Sequence, residues 1–402
     1  MTKFSQIDLR FLFLALMLVF LPGVEALKNI FAFLFFLSWV LISYKRNNWG
    51  GKWLVIDTIF LLWILADFLI SINAVMAHKL DGGGFSDILR FVIIAWVLSR
   101  INFSKEKCYQ LGLIAVMATL VTLAFSYYST GGVLKELHSV GHINHTAIFL
   151  TIAYSISISI LLFNYKKLNN YHKLILFASS LILFLSTIDT GSRASFGLLI
   201  IVTLSNALFL IYKVRRLSIS LLIIGFISFV GITLIQSPPD ALKRILATEH
   251  ILEDSVRTKI RNFSYYAFKK NPILGNGFGN YSSIKLDDIK STVIDDIGVF
   301  NSELYITSSH PHNVYYKYLV AGGLLIFSIF LWFWFYVAWI IIKIKTTDET
   351  FWIISSSISV ILINLGIGWV NTTLHHEHAI LSMFVLGILI SLYRKTLQSD
   401  MK

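Results

Sequence analysis

Cysteine is nearly missing from this 402-residue chain. Cys108 stands alone, so no internal disulfide can form. Charge is scarce too: Asp, Glu, Lys and Arg make up 14% of the residues, against about 25% in an average soluble domain. There is no P-loop, no G-x-S-x-G elbow and no C-x-x-C pair, so the usual signatures of nucleotide-driven transfer, serine hydrolysis and thiol redox chemistry are lacking. No internal repeat is visible, which argues against an inverted-repeat transporter.

Apolar side chains fill the space these absences leave. They are 56% of the residues, and the mean hydropathy is +0.72. One soluble core of ordinary size cannot hold that much apolar surface. A soluble enzyme, a disordered chain and a fibrous protein are excluded, and a polytopic membrane protein remains. The net charge is +12. The basic residues sit in short loops between apolar runs, so the partner they imply is membrane lipid and not nucleic acid.

The expected fold class is an all-α, polytopic integral membrane protein with about 12 transmembrane helices. The apolar runs lie near 9–27, 28–44, 53–75, 87–100, 109–128, 146–163, 173–188, 195–212, 217–235, 315–342, 351–370 and 377–393. Pro22, Gly23 and Glu25 interrupt the first hairpin. A cleaved signal peptide is one reading of that start, but a further apolar run follows within a few residues and favours a membrane hairpin. Three regions follow: spans one to nine in 1–235, a large outer loop in 236–314, and spans ten to twelve with a short tail in 315–402.

Lysine and arginine orient the spans. One alternating set of loops carries 19 of them, whereas the opposite short loops and span ends carry only Lys28, Lys79, Arg90, Lys135 and Arg193. Both termini are therefore expected in the cytoplasm, with 236–314 outside. Outside the cytoplasm there is no ATP, so a transferase there needs a donor that brings its own leaving group. Diphosphate on a lipid carrier has that form. Its site calls for cations to hold phosphate oxygens and a base for the acceptor hydroxyl, both at the membrane surface.

Three stretches meet those needs. Arg193 follows Asp189-Thr190-Gly191-Ser192 at the outer end of a span. Its planar fork suits phosphate, and the helix start beside it favours an anion; a snorkelling arginine is the alternative. In 255–268, Val256, Ile260, Phe263 and Ala267 recur at helical spacing, Ser255 is a candidate cap, and Asn271-Pro272 ends the helix. Arg257 and Arg261 then share one face of an amphipathic helix on the membrane, near lipid phosphates; plain headgroup binding is the alternative. Third, His310-Pro311-His312-Asn313 leads directly into a span. Proline favours the first helical turn, which puts His312 at the surface, where the helix dipole keeps its imidazole neutral and able to act as a base. A hydrogen-bonded interfacial histidine is the bland reading.

Other features read as background. Gly275-Asn276-Gly277-Phe278-Gly279 is a loop turn and only a weak phosphate signal. His375, His376, Glu377 and His378 match no zinc spacing and read as a solvated polar loop. Asp287, Asp288, Asp295 and Asp296 read as a wet acidic loop, though a divalent ion is conceivable there. Asp57 and Asp67 fall inside one span, where ionisable residues are costly, and Arg90 is the expected partner of Asp67.

The order of these stretches resembles the O-antigen ligase and polymerase superfamily of bacterial envelope glycosyltransferases. An outer arginine follows a mid-chain span. A large outer loop then carries a second arginine, a helix, Asn271-Pro272-Ile273-Leu274-Gly275 and a glycine turn, and His-x-His-Asn opens the next span. The resemblance in specific motifs covers 189–195, 255–281 and 310–323. It implies a Gram-negative inner-membrane glycosyltransferase with a periplasmic active site. Such a ligase moves O-polysaccharide from undecaprenyl diphosphate to a sugar hydroxyl of lipid A-core, inverts the anomeric centre, and uses no metal and no cofactor. It further implies that Arg193 and Arg257 hold the diphosphate and that His312 is the base. Arg261, His310 and Asn313 are candidate substrate contacts. Arg261 stands where the family often has tryptophan. Sequence patterns separate ligase from polymerase poorly, and a transporter of lipid-linked sugar is a third reading.

Overall fold

The computed structural model describes residues 8–78, 82, 84–132, 134, 136–214, 250–347 and 350–400. Among these residues the chain is helical, and the only ladder pairing is an isolated bridge between Leu137 and Gly141. The helices are α1 (Leu9–Phe20), α2 (Glu25–Arg46), α3 (Val55–His78), α4 (Phe85–Arg100), α5 (Lys105–Ser129), α6 (Ile143–Asn164), α7 (Asn170–Asp189), α8 (Arg193–Phe209), α9 (His250–Lys270), α10 (Leu286–Ile297), α11 (Val314–Lys343), α12 (Phe351–Ile367) and α13 (His376–Asp400).

Eight of the described helices are long and apolar enough to cross a membrane: α2, α3, α5, α6, α7, α8, α11 and α13. Two shorter ones, α1 and α12, are apolar as well. The chain is a multi-pass membrane protein. The expected span at 217–235 lies outside the described residues. Pro22 and Gly23 do separate α1 from α2, since α1 ends at Phe20 and α2 begins at Glu25. The helix α6 is enclosed along its apolar length, as suits a helix hydrophobic all round. It packs against α7, α12 and α5, while α4 packs along α13 and α3 along α11.

The bundle has two distinct ends. At one, the fully buried Asp57 carboxylate receives Arg100 Nε at 2.9 Å, Trp96 Nε1 at 2.8 Å, the Leu54 backbone N–H at 2.7 Å and Arg394 Nη2 at 2.5 Å. That cluster ties the start of α3 to the ends of α4 and α13. It also explains how an aspartate survives in a span: two arginines and an indole replace its water. At the other end meet the C-terminus of α3 and the N-termini of α4, α6, α11 and α13. Here Arg90 pairs with Asp87 and not with Asp67. Asp67 is buried, and neither of its oxygens has a hydrogen-bond partner among the described residues. Arg90 and Asp87 are three apart on one helix, so local geometry wins over the expected cross-helix pair.

The helix α11 is broken where Gly323 adopts φ 61° and ψ −162°, a backbone conformation essentially reserved for glycine. The break strands carbonyls on one side and N–H groups on the other, and buried groups of that kind need partners. The Pro272–Gly277 turn supplies them. Asn276 and Gly277 N–H donate to Val320 and Ala321 carbonyls at 2.9 and 2.7 Å. Pro272 and Ile273 carbonyls accept from Leu324 and Leu325 at 2.8 and 3.2 Å. The glycines of this turn are therefore a clamp. A Cβ on Gly275 would lie 2.5 Å from the Ala321 backbone, and one on Gly277 2.6 Å from the Ala74 side chain.

Gly323→Ala is expected to cost about 3 kcal/mol or more, because the conformation is forbidden to alanine and its Cβ would sit 2.3 Å from the Ile273 carbonyl oxygen. Thermal unfolding of the detergent-purified variant checks this. Gly197→Ala on α8, where nothing lies within 4 Å of the added carbon, is the control and should melt at or slightly above the parent.

Candidate functional site

The helix α9 begins at His250, five residues before Ser255, so Ser255 lies inside the helix and does not cap it. Its end at Lys270 agrees with the Asn271-Pro272 stop. Ile260, Phe263, Tyr266 and Ala267 form the buried face. They pack against Ile289 and Val293 of α10, Tyr305 and Val320 in a small core of their own. The apolar face thus meets protein, while Val256 is exposed. The acidic residues expected in a loop lie on α10. Asp288 caps Lys285 N–H at 2.8 Å and reaches Lys270 at 3.4 Å, while Asp296 pairs with Lys269 and Tyr266.

The polar face of α9 meets the segment that leads to the histidines. Ile306 N–H donates to the Lys259 carbonyl at 3.4 Å, and Asn262 Nδ2 donates to the Leu304 carbonyl at 3.2 Å. The chain that follows is thereby delivered beside Arg257. His312 is half-buried with φ 49°, a left-handed conformation uncommon outside glycine. Its pKa is lowered, first by burial, then by the Arg257 guanidinium, then by His142. The imidazole is therefore neutral near pH 7, as expected, but the cause is burial and a facing arginine. The helix does not begin at His312: α11 starts at Val314.

Asn313 explains that shift. It is buried, its Oδ1 accepts from Tyr316 N–H at 3.0 Å, and its Nδ2 donates to the Trp369 carbonyl at 2.8 Å. The Oδ1 caps α11, and the Nδ2 ties that helix start to the turn after α12. Asparagine before an apolar run is a known start signal and outranks Pro311 here. The His310 ring lies tilted against that of His312 with centroids 4.0 Å apart, and it shares a hydrogen bond with Ser309 at 2.8 Å. Its pKa falls to about 4, through burial first and then the neighbouring His312. Arg261 is exposed, and its Nη2 donates to Thr258 at 3.0 Å.

Arg193 is the first residue of α8 and is exposed. It belongs to the same end of the bundle as His312. A Cβ on Gly366 of α12 would lie 3.1 Å from Leu198 of α8, and Gly368, just beyond α12, accepts a 2.7 Å bond from Val314 N–H. The turn at 366–369 is thus the neighbour of both the α8 start and the His312 segment. The structure brings Arg257, His310 and His312 together and places Arg193 at that end.

A cavity of about 270 Å³ opens here, lined among others by His145, Phe278, Tyr281, His310, Lys317, His375 and His376. The His375–His378 stretch is no solvated loop. His378 is fully buried and Glu377 nearly so, paired with the buried Lys28 of α2. Ser139 bridges that pair at 3.1 and 3.2 Å. His145 stands 5.3 Å, centroid to centroid, from both His376 and His378. Sequence reading missed His145, Lys317 and the Lys28–Glu377 pair. The one available hint was a lysine at 28 in the loop set otherwise poor in cations. A second cavity of about 290 Å³ lies at the opposite end among Arg10, Arg46, Arg100, Arg394 and Lys395. No histidine lines it, so it offers cations without a base.

Residues 177–331 match the O-antigen ligase family model. Over that stretch the chain is similar to the O-antigen ligase family. The matched stretch contains Arg193, Arg257, Arg261, His310, His312 and Asn313, whereas His145 and His375–His378 lie outside it. No curated protein matches the chain.

Proposed function

We propose that this protein is a member of the O-antigen ligase and polymerase superfamily and an inverting O-antigen ligase, a glycosyltransferase of the bacterial inner membrane acting at the periplasmic face. Twelve spans, both termini in the cytoplasm and a periplasmic loop over 236–314 complete the reading, with spans one to nine before the loop and ten to twelve after it. The observation that carries it is that Arg257 and the half-buried His312, its ring 4.0 Å from that of His310, come together within the stretch 177–331 that matches the O-antigen ligase family model. The donor is a glycan on undecaprenyl diphosphate and the acceptor a sugar hydroxyl of lipid A-core.

In the transfer, His312 takes the proton of the acceptor hydroxyl as its oxygen attacks the anomeric carbon. The bond from that carbon to the diphosphate oxygen breaks, and undecaprenyl diphosphate leaves carrying the electron pair. Arg257 and Arg193 hold the charge that grows on it. Attack opposite the leaving group inverts the centre. Both substrates are anchored in lipid, and confinement to one plane supplies part of their proximity. His310, its ring tilted against that of His312, the exposed Arg261 and Asn313 are the further contacts for sugar or phosphate.

Arg257→Lys keeps the charge and loses the bidentate fork. A charge-assisted bond of about 1.5–3 kcal/mol is at stake, so transfer should fall roughly 10- to 100-fold. Rate measurement on the purified variant checks it, and full activity would remove Arg257 from the diphosphate. A deletion strain separates ligase from polymerase. Long polymer left on the lipid carrier with bare lipid A-core is the ligase result; single repeats on the core would mean polymerase.

A further inference from the structure

The backbone around His375 is unusual. Leu374 and His376 both have positive φ, 51° and 50°, although neither is glycine. Such residues cost energy and gather where a site needs them. Their effect here is visible in the rings. Neighbouring residues diverge by about 100° on a helix and oppose each other on a strand. Yet the rings of His375 and His376 lie 3.6 Å apart, centroid to centroid. His145 enters from α6, with its ring 5.8 Å from that of His375 and 5.3 Å from that of His376. One nitrogen from each of the three lies within 4.8 Å of the others.

Two further observations concern free ligand atoms. His375 Nδ1 is buried and has no hydrogen-bond partner among the described residues. Its other nitrogen, Nε2, is 3.9 Å from an Asp87 carboxylate oxygen. At that distance the carboxylate, itself paired with Arg90, attracts the ring without a hydrogen bond and leaves Nδ1 free. His378 Nδ1 is likewise buried and partnerless, with its ring 5.3 Å from that of His145.

We propose that His145, His375 and His376 bind one divalent transition-metal ion of the zinc class, with the fourth position open to the cavity. Imidazole nitrogens suit zinc, cobalt, nickel and copper, whereas magnesium and calcium call for oxygen. Glu377 is engaged by Lys28 and stands outside the trio. Bonds of about 2.1 Å set tetrahedral nitrogens roughly 3.4 Å apart, so small ring rotations close the site. Lys317 lines the same cavity and is the cation that opposes the ion. The ion ties the start of α6 to the start of α13. The transfer reaction proposed above does not route through it.

Cobalt binding tests this on full-length protein purified in detergent and stripped with a chelator. Expected is one Co²⁺ per chain with the visible absorption of a tetrahedral nitrogen site. Zinc should displace it, and a thousandfold excess of Mg²⁺ should not. Cobalt should also raise the melting temperature. His145→Gln and His376→Gln should each weaken binding at least tenfold, while His142→Ala, at the same helix end but outside the trio, should bind like the parent. Metal-free melting curves of the variants, matching the metal-free parent, exclude misfolding; should His145→Gln melt early, His376→Gln carries the test. No absorption in the parent, or absorption that survives both substitutions, would overturn the proposal.

Discussion

His312→Ala should abolish glycan transfer while leaving the protein folded and the donor bound. A positioned general base contributes roughly 100- to 10,000-fold, and no other histidine beside Arg257 stands in for it. His310 lies against it, but its pKa near 4 makes it a poor base. The pH profile gives the same account a second handle. Burial and Arg257 lower the pKa of His312, so the neutral, active form persists below the usual histidine range. As pH falls, activity should be lost only below about 6.5. Arg257→Gln removes one cause of the lowering, so its residual activity should fade at a higher pH than the parent's. A profile that does not move would mean that Arg257 does not face the base.

The second large effect lies at the opposite end of the bundle. Asp57→Asn should destabilise the protein by about 3–5 kcal/mol, because it leaves Arg100 and Arg394 buried without their shared counterion. The two side chains are only 7% and 6% exposed, so water from the cavity they line replaces the carboxylate poorly. Asp57→Asn with Arg394→Met should recover part of the loss, since the uncompensated buried charges fall from two to one. Melting temperatures of the three proteins decide it. Equal melting of Asp57→Asn and the parent would mean that this carboxylate does not hold α3, α4 and α13 together.

Much of the architecture was legible because it is periodic and local. Long apolar runs marked the helices, Pro22-Gly23 marked the first hairpin, and Asn271-Pro272 marked the end of α9. The alternating basic loops have a counterpart in space: Asp57, Arg100 and Arg394 gather at one end and the histidines at the other. Ser255 misled because a helix can begin before a good cap when the residues ahead of it are compatible. The break at Gly323 stayed hidden because its partner groups come from Pro272 to Gly277, about fifty residues away. The histidine pocket stayed hidden for the same reason. His145, His310 and His375 are far apart in sequence, and nothing local marks the folding that joins them. Lys28 and Glu377 each look anomalous alone and make sense only as a pair.

The measurement that bears most directly on the account is a reconstituted transfer assay. The purified protein is placed in liposomes with a glycan on undecaprenyl diphosphate and lipid A-core, and the product is analysed for linkage and anomeric configuration. A new glycosidic bond on lipid A-core with inverted configuration, lost in Arg193→Ala, Arg257→Ala and His312→Ala, is the expected result. Donor movement across the bilayer with no new bond, or product formed undiminished by all three variants, would contradict it.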